Sequence, residues 1–191
     1  GVPVPYYREV IRAAAYSPEM RAFREAQFTD WVQRYGLAGR RVLEIGCGRG
    51  EYLTLLQKAG LDTYGLEAGI AQLRACRAAG LQVTRGYLTR RSGILPGAPF
   101  DAFASFNFLE HWPDPVGSLR AMARNLVDGA VGLVEVPNVD MILRQALFSE
   151  FIADHLLYFT QDTLGFTLQR AGFEVLSCHA VWHEYILSAE V

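Results

Sequence analysis

The chain is poor in lysine: among its 191 residues Lys58 is the only one, and every other basic side chain that is not histidine is arginine. That removes a phosphate-binding loop of the type that ends in a lysine. Cysteine is scarce too. Cys47, Cys76 and Cys178 stand far apart with no CxxC spacing, which excludes a disulfide framework and a zinc ribbon and points to a reducing cytoplasm. An excess of positive charge is missing: the formal net charge is -2, so no nucleic-acid partner bound by phosphate neutralisation is expected. Nor is there an apolar run of about 18 residues to span a membrane. No charged segment followed by an apolar one reads as a secretory leader. What the chain does have is core-forming material. With 51% hydrophobic residues, it can bury roughly 70% of its unfolded surface, which excludes a disordered chain.

From about residue 40 onward, short apolar runs alternate with stretches of helical spacing. The runs cover residues 41–45, 63–66, 81–84, 100–106 and 130–136. Between them, Tyr52, Leu55, Leu56 and Ala59 share one helical face, as do Val116, Leu119, Ala123 and Leu126. Gly60, Gly80 and Gly172 follow helical runs, where a left-handed cap belongs. Continuous apolar strands alternating with helices predict a parallel sheet covered on both faces, a doubly wound α/β fold of about seven strands. Residues 6–36 read as two helices, the second opened by Ser17 as N-cap and Pro18 in its first turn. Residues 172–182 and 184–191 read as two strands with only His183 between them, and so short a link predicts an antiparallel hairpin. Residues 1–36 are expected to form a helical cap on the same domain as residues 37–191.

The most informative stretch is Leu43-Glu44-Ile45-Gly46-Cys47-Gly48-Arg49-Gly50-Glu51. A strand runs into three alternating glycines and a helix starts at once. Such a loop presents backbone N–H groups at a helix N-terminus, beside the carboxyl end of a strand, where open α/β sheets bind ligands. A second acid, Glu67, closes the next strand. The same acid would serve a nicotinamide dinucleotide, but that cofactor's fingerprint is G-x-G-x-x-G, and here the third glycine comes one residue early.

Gly46-x-Gly48-x-Gly50 led by Glu44 resembles the first motif of the class I S-adenosylmethionine (SAM)-dependent methyltransferases. The resemblance continues: Leu109-Glu110-His111-Trp112-Pro113-Asp114-Pro115 is similar to the LEH-x-x-DP block of one subgroup. Pro137-Asn138 is similar to its PN block, and His155 to Thr160 with Ala171-Gly172-Phe173 to its H-x-x-YFT and AGF segments. That subgroup includes ubiquinone-pathway-like O-methyltransferases and the middle domain of deoxysugar C-methyltransferases. The resemblance implies a SAM-binding Rossmann-like domain in which the glycine loop passes under the methionine moiety and Glu44 helps hold its ammonium group. It further implies that Glu67, with Ala68 beside it, accepts hydrogen bonds from the ribose hydroxyls. Cys47 enters the cradle through its backbone and bulk, Tyr87 and Leu88 through backbone N–H groups near the adenine, and Asn107 as part of the wall beside the methionine. After the third strand no carboxylate stands where the family often has one.

Methyl transfer needs the acceptor held at attack distance in a dry site, and a hydroxyl or carbon acceptor also needs a base. His111 and His155 are the candidates. As a base His155 would have Asp154 beside it as an orienting partner; the structural alternatives are that His111 caps the next helix or supports Glu110, and that His155 packs on Tyr158 and positions the Thr160 helix cap. His179 and His183 read as structural. No metal site is expected, because Asp101, Asp114 and Asp140 lack compact spacing. The acceptor pocket is expected from residues 1–36 and 137–160, with Tyr6, Tyr7, Tyr16, Phe23, Phe28, Met141, Leu147, Phe148, Phe151 and Tyr158 suiting a small molecule. Arg8, Arg12, Arg21, Arg24 and Arg144 offer charge for a phosphate or carboxylate handle on the acceptor, but as members of charged helix faces they are read as facing solvent. Two other functions stand beside this one: an NAD-type oxidoreductase, and a catalytically silent module that keeps the SAM fold for binding.

Overall fold

The computed structural model describes residues 17–191. The helix expected over residues 6–16, with Tyr6, Tyr7, Arg8, Arg12 and Tyr16, lies outside them. The chain falls into two compact units, one ending at Tyr87 and the other starting at Leu88.

In the first unit, helix α1 (Pro18–Tyr35) starts as its sequence requires: the Ser17 side chain accepts from Met20 N, Pro18 fills the first turn, and Gly36 closes the helix in the left-handed conformation. Strand β1 (Arg41–Ile45), helix α2 (Glu51–Lys58), strand β2 (Asp62–Glu67), helix α3 (Ile70–Ala78) and strand β3 (Gln82–Arg85) then alternate. The three strands are parallel in the order β3-β2-β1, with Arg41 opposite Asp62 and Tyr64 opposite Gln82. Their alternation follows from the apolar runs: Val42, Leu43, Ile45 and Leu66 are buried in the sheet, and Tyr52, Leu53 and Leu56 of α2 are buried with them. Phe28 of α1 meets Tyr52 edge-on, ring centroids 6.1 Å apart, and has no exposed surface. It is core, not the pocket wall its aromatic character suggested. Gly65 sits at a close crossing, where an added Cβ would lie 2.6 Å from Cys47 Sγ and 2.9 Å from Val83 Cγ2.

The second unit holds β4 (Phe100–Phe106), α4 (Pro115–Ala123), β5 (Leu126–Pro137), α5 (Val139–Arg144), α6 (Gln161–Ala171), β6 (Ser177–Val181) and β7 (Ile186–Glu190). The strand order is β4-β5-β7-β6; β4 and β5 are parallel, and β7 is antiparallel to both its neighbours. Among the described residues there are seven strands, parallel except around the C-terminal hairpin, in line with the sequence expectation of about seven. Leu119 and Met122 of α4 and Leu164 and Leu168 of α6 are fully buried, as are Phe103 and Val134 of the strands. Truncating such a side chain to alanine costs about 2–5 kcal/mol. The strand read over residues 172–182 starts only at Ser177, because Gly172 caps α6, and two further boundaries differ from the sequence reading. Leu126 opens β5 instead of extending the helical face, because α4 stops at Ala123. The hairpin turn is longer than His183 alone: Trp182, His183 and Glu184 all have positive φ, 48°, 56° and 64°. For residues other than glycine that conformation costs roughly 1–2 kcal/mol each. Among the described residues no helix is long and apolar enough to cross a membrane.

Candidate active site

In the first unit β1 feeds directly into the glycine loop. Gly46, Gly48 and Gly50 all take positive φ, 72°, 57° and 87°, which explains why glycine stands at those three positions. Gly46 N and Cys47 N both donate to Leu66 O, at 2.8 and 3.3 Å, tying the loop to the end of β2. Glu67 binds the same loop from the side. Gly48 N donates to its Oε2 at 2.9 Å and Gly69 N to its Oε1 at 2.6 Å. Each carboxylate oxygen therefore accepts one backbone N–H and keeps capacity for one more donor. A Cβ on Gly48 would meet nothing nearer than Glu51 Oε2 at 3.8 Å, so side chains leave that face of the loop open. Glu44 is wholly buried at the end of β1, and Ala68 is half-buried between Glu67 and Gly69.

Cys47 is held as a thiol. The neighbouring Cys76 thiol, burial and the nearby Glu44 charge push its pKa up, above the ordinary range. Cys76 in turn donates to Gly48 O at 3.3 Å. The loop cysteine is buried, and its shift disfavours the thiolate. Arg24, grouped by sequence with solvent-facing arginines, has no exposed surface: its guanidinium lies 4.9 Å from the Tyr52 ring centroid and donates to Gln27 Oε1 at 2.6 Å. A helical arginine next to Phe23 and one turn from Phe28 was the available signal. Arg21 does meet solvent, in an exposed pair with Glu25 at 3.1 Å.

The second unit brings together side chains far apart in sequence. His111 ends a short 3-10 turn after β4 (Leu109–His111), and His155 lies between α5 and α6. Their rings meet edge to face with centroids 4.9 Å apart. The Nε2 atoms of both approach Glu110 Oε1, at 3.9 Å for His111 and 4.0 Å for His155. Glu110 is 2% exposed, His155 9% and His111 24%, so His111 is the member that reaches solvent. His111 Nδ1 lies 3.0 Å from the Asp154 carbonyl oxygen. A carbonyl can only accept, so Nδ1 carries the proton and Nε2 of neutral His111 presents its lone pair. Asp154 therefore orients His111 through its backbone, and not its neighbour His155 as adjacency suggested. His155 packs against Tyr158, 5.6 Å between centroids, and its buried Nδ1 has no hydrogen-bond partner among the described residues. Burial and the neighbouring His111 both lower its pKa from the ordinary 6.5.

Spacing alone predicted no metal ligands. Glu110, His111 and His155 are a group among the described residues whose ligand atoms lie within 4.8 Å of one another. Asn107 takes a positive φ of 48°, and its buried Oδ1 has no hydrogen-bond partner among the described residues. Tyr87 is exposed and Leu88 buried, with Leu88 O accepting from Ser118 Oγ at 3.1 Å. Of the expected pocket residues, Met141 is buried, whereas Leu147, Phe148 and Phe151 are exposed. His183 meets the Trp182 ring edge-on in the hairpin turn, and His179 is exposed on β6.

The methyltransferase-domain family matches residues 20–178. The chain belongs to this family. A ubiquinone biosynthesis O-methyltransferase of Pseudomonas aeruginosa is 29% identical over 165 residues, 76% of this chain and 70% of the relative. One of the same description from Hahella chejuensis is 33% identical over 103 residues, 51% of this chain and 43% of that protein. Among solved structures, a SAM-dependent methyltransferase from Archaeoglobus fulgidus superposes with a TM-score of 0.70 at 21% identity, covering 90% of this chain and 94% of that one. Magnesium protoporphyrin IX methyltransferase from Synechocystis, with bound SAH, gives 0.65 at 16% identity, covering 90% and 83%. At such identities these two speak for the fold alone. The family match makes the chain a methyltransferase and sets the NAD-type reading aside, and SAM is the methyl donor that the resemblance of its glycine motif implies. Its loop fits that cofactor: three left-handed glycines, an open face at Gly48, and a carboxylate with capacity for two more donors.

Proposed function

We propose that this methyltransferase transfers the SAM methyl group to an oxygen of a small organic acceptor. Glu44, Gly46, Cys47, Gly48, Gly50, Glu67, Ala68 and Tyr87, all in the first unit, would hold the cofactor. Bound SAM supplies a methyl group already activated by its sulfonium. Glu67 takes the ribose hydroxyls on its two remaining acceptor positions, and the loop N–H groups and Glu44 take the methionine end. Oxygen is favoured because the relatives from Pseudomonas and Hahella are named for O-methylation.

The single observation that carries the acceptor chemistry is the hydrogen bond between His111 Nδ1 and the Asp154 carbonyl. It leaves His111 Nε2 free to take the proton of a hydroxyl as its oxygen attacks. His155, kept neutral by burial and by His111, stands beside it as the second candidate base. Three free cysteines fit a reducing compartment such as the cytoplasm. The test is incubation with SAM and a panel of small hydroxylated, amino and carbon-acid compounds, followed by mass spectrometry. The reading expects a hydroxylated compound one CH2 heavier with an equal amount of SAH; methylation confined to amines or carbon acids would contradict it.

A further inference from the structure

Residues 145–158 carry both His155 and the Asp154 carbonyl, yet apart from one 3-10 turn (Phe148–Glu150) they form no helix or strand. Their place is held by individual hydrogen bonds. Leu156 N and Leu157 N donate to Glu110 O at 3.0 and 3.1 Å, and His111 Nδ1 meets Asp154 O. At the other end of the strap, Tyr185 OH donates to Glu150 Oε2 in a short bond. Tyr185 is half-buried, and burial, together with this bond to Glu150, raises its pKa well above the ordinary tyrosine value, so it remains a donor throughout the working range.

Tyr185 follows the strained turn of the β6–β7 hairpin. Three successive non-glycine residues in the left-handed region persist only where the surroundings over-determine them. Here they do. Asn138 Nδ2 donates to Glu184 O at 2.8 Å, Asn138 N to Tyr185 O at 2.9 Å, and Arg144 to the Glu184 carboxylate at 2.8 Å. The turn is thus docked onto α5 and its N-cap, with the Tyr185 hydroxyl delivered to Glu150. Nothing in the chemistry proposed above uses this bond.

We infer that Tyr185 is a positioning residue: through Glu150 it fixes the strap that brings the Asp154 carbonyl to His111 and the His155 ring beside it. The inference rests on the reading of His111 and His155 as acceptor-side residues, and its test does not depend on turnover. In the full chain, the His111 tautomer is read by two-bond 15N–1H correlation spectra, and the strap by amide hydrogen exchange. Wild type shows His111 protonated at Nδ1. Tyr185→Phe, which keeps the ring and loses the donor, is expected to shift His111 toward a mixture of tautomers. Strap amides in residues 150–157 should exchange about tenfold faster or more, as expected for loss of a bond to a charged acceptor. Glu150→Ala should reproduce both changes from the other side, and it decides the matter if the tyrosine variant does not fold. The double variant should be no worse than either single one. An unchanged His111 tautomer with unchanged strap exchange in these variants would overturn the positioning role. A shifted tautomer and loosened strap with full methyl transfer would keep Tyr185 as the latch and instead remove His111 as the base.

Discussion

The two units build their sites by different means. In the unit ending at Tyr87, the candidate cofactor cradle is mostly main chain: three left-handed glycines and their N–H groups, with Glu67 bridging Gly48 and Gly69. In the unit starting at Leu88, the candidate acceptor side is made of side chains, Glu110, His111 and His155, gathered from separate segments and tuned by a carbonyl and by burial. A backbone site needs particular residues at fixed spacing, because glycine takes the left-handed conformation without steric cost and lets a ligand approach the main chain. A side-chain site needs only that the fold bring its members together. The first kind leaves a pattern in sequence; the second leaves scattered histidines.

This difference makes separable predictions. Largest should be the loss of turnover in the second unit: His111→Ala is expected to slow methyl transfer by about 10²–10⁴-fold, the usual contribution of a general base. Calorimetry on the same variant should return the wild-type SAM affinity; a parallel loss of both would mean that the two units do not divide the work. Next comes Glu67→Ala. Removing an acceptor of two cofactor hydroxyls should weaken SAM binding by about 1–3 kcal/mol, read by the same titration, and turnover at saturating SAM should fall far less. Gly65→Ala pushes a methyl group against Cys47 and Val83. Overpacking of that sort costs about 1–3 kcal/mol in chemical denaturation, and by displacing Cys47 it should also weaken SAM binding.

Of the fold, strands, helix caps and the antiparallel hairpin were legible because each rests on local periodicity or a single residue type, as with Ser17 and Gly172. The glycine loop and Glu67 were legible for the reason already given. Asp154 was assigned to the wrong imidazole because the bond that matters runs from a backbone carbonyl to a residue 43 positions away, and no side-chain pattern records it. Phe28 and Arg24 were misplaced because apolar and amphipathic side chains on one helix do not announce which face the next helix covers. Tyr185 left no signal at all; its role depends on a turn whose left-handed residues are not glycines.

The smallest expected effect concerns pH and again belongs to the second unit. His155 binds its proton less readily folded than unfolded, so the unfolded chain takes up more protons as pH falls. The stability it allows is therefore complete above about pH 6.5 and is lost progressively below it, through the lower folded pKa. Denaturation at pH 7.5 and 5.5 should show a smaller acid loss for His155→Asn than for wild type. A steeper loss in the variant would reverse the sign assigned to this group.

The central claim is that the glycine loop and Glu67 together hold the cofactor. A crystal structure with S-adenosylhomocysteine tests it most directly. The account predicts the methionine moiety against the main chain of Gly46–Gly50 and both ribose hydroxyls donating to Glu67, which keeps its bonds from Gly48 and Gly69. A nucleoside bound away from Glu67, or a loop face closed over by side chains, would contradict it.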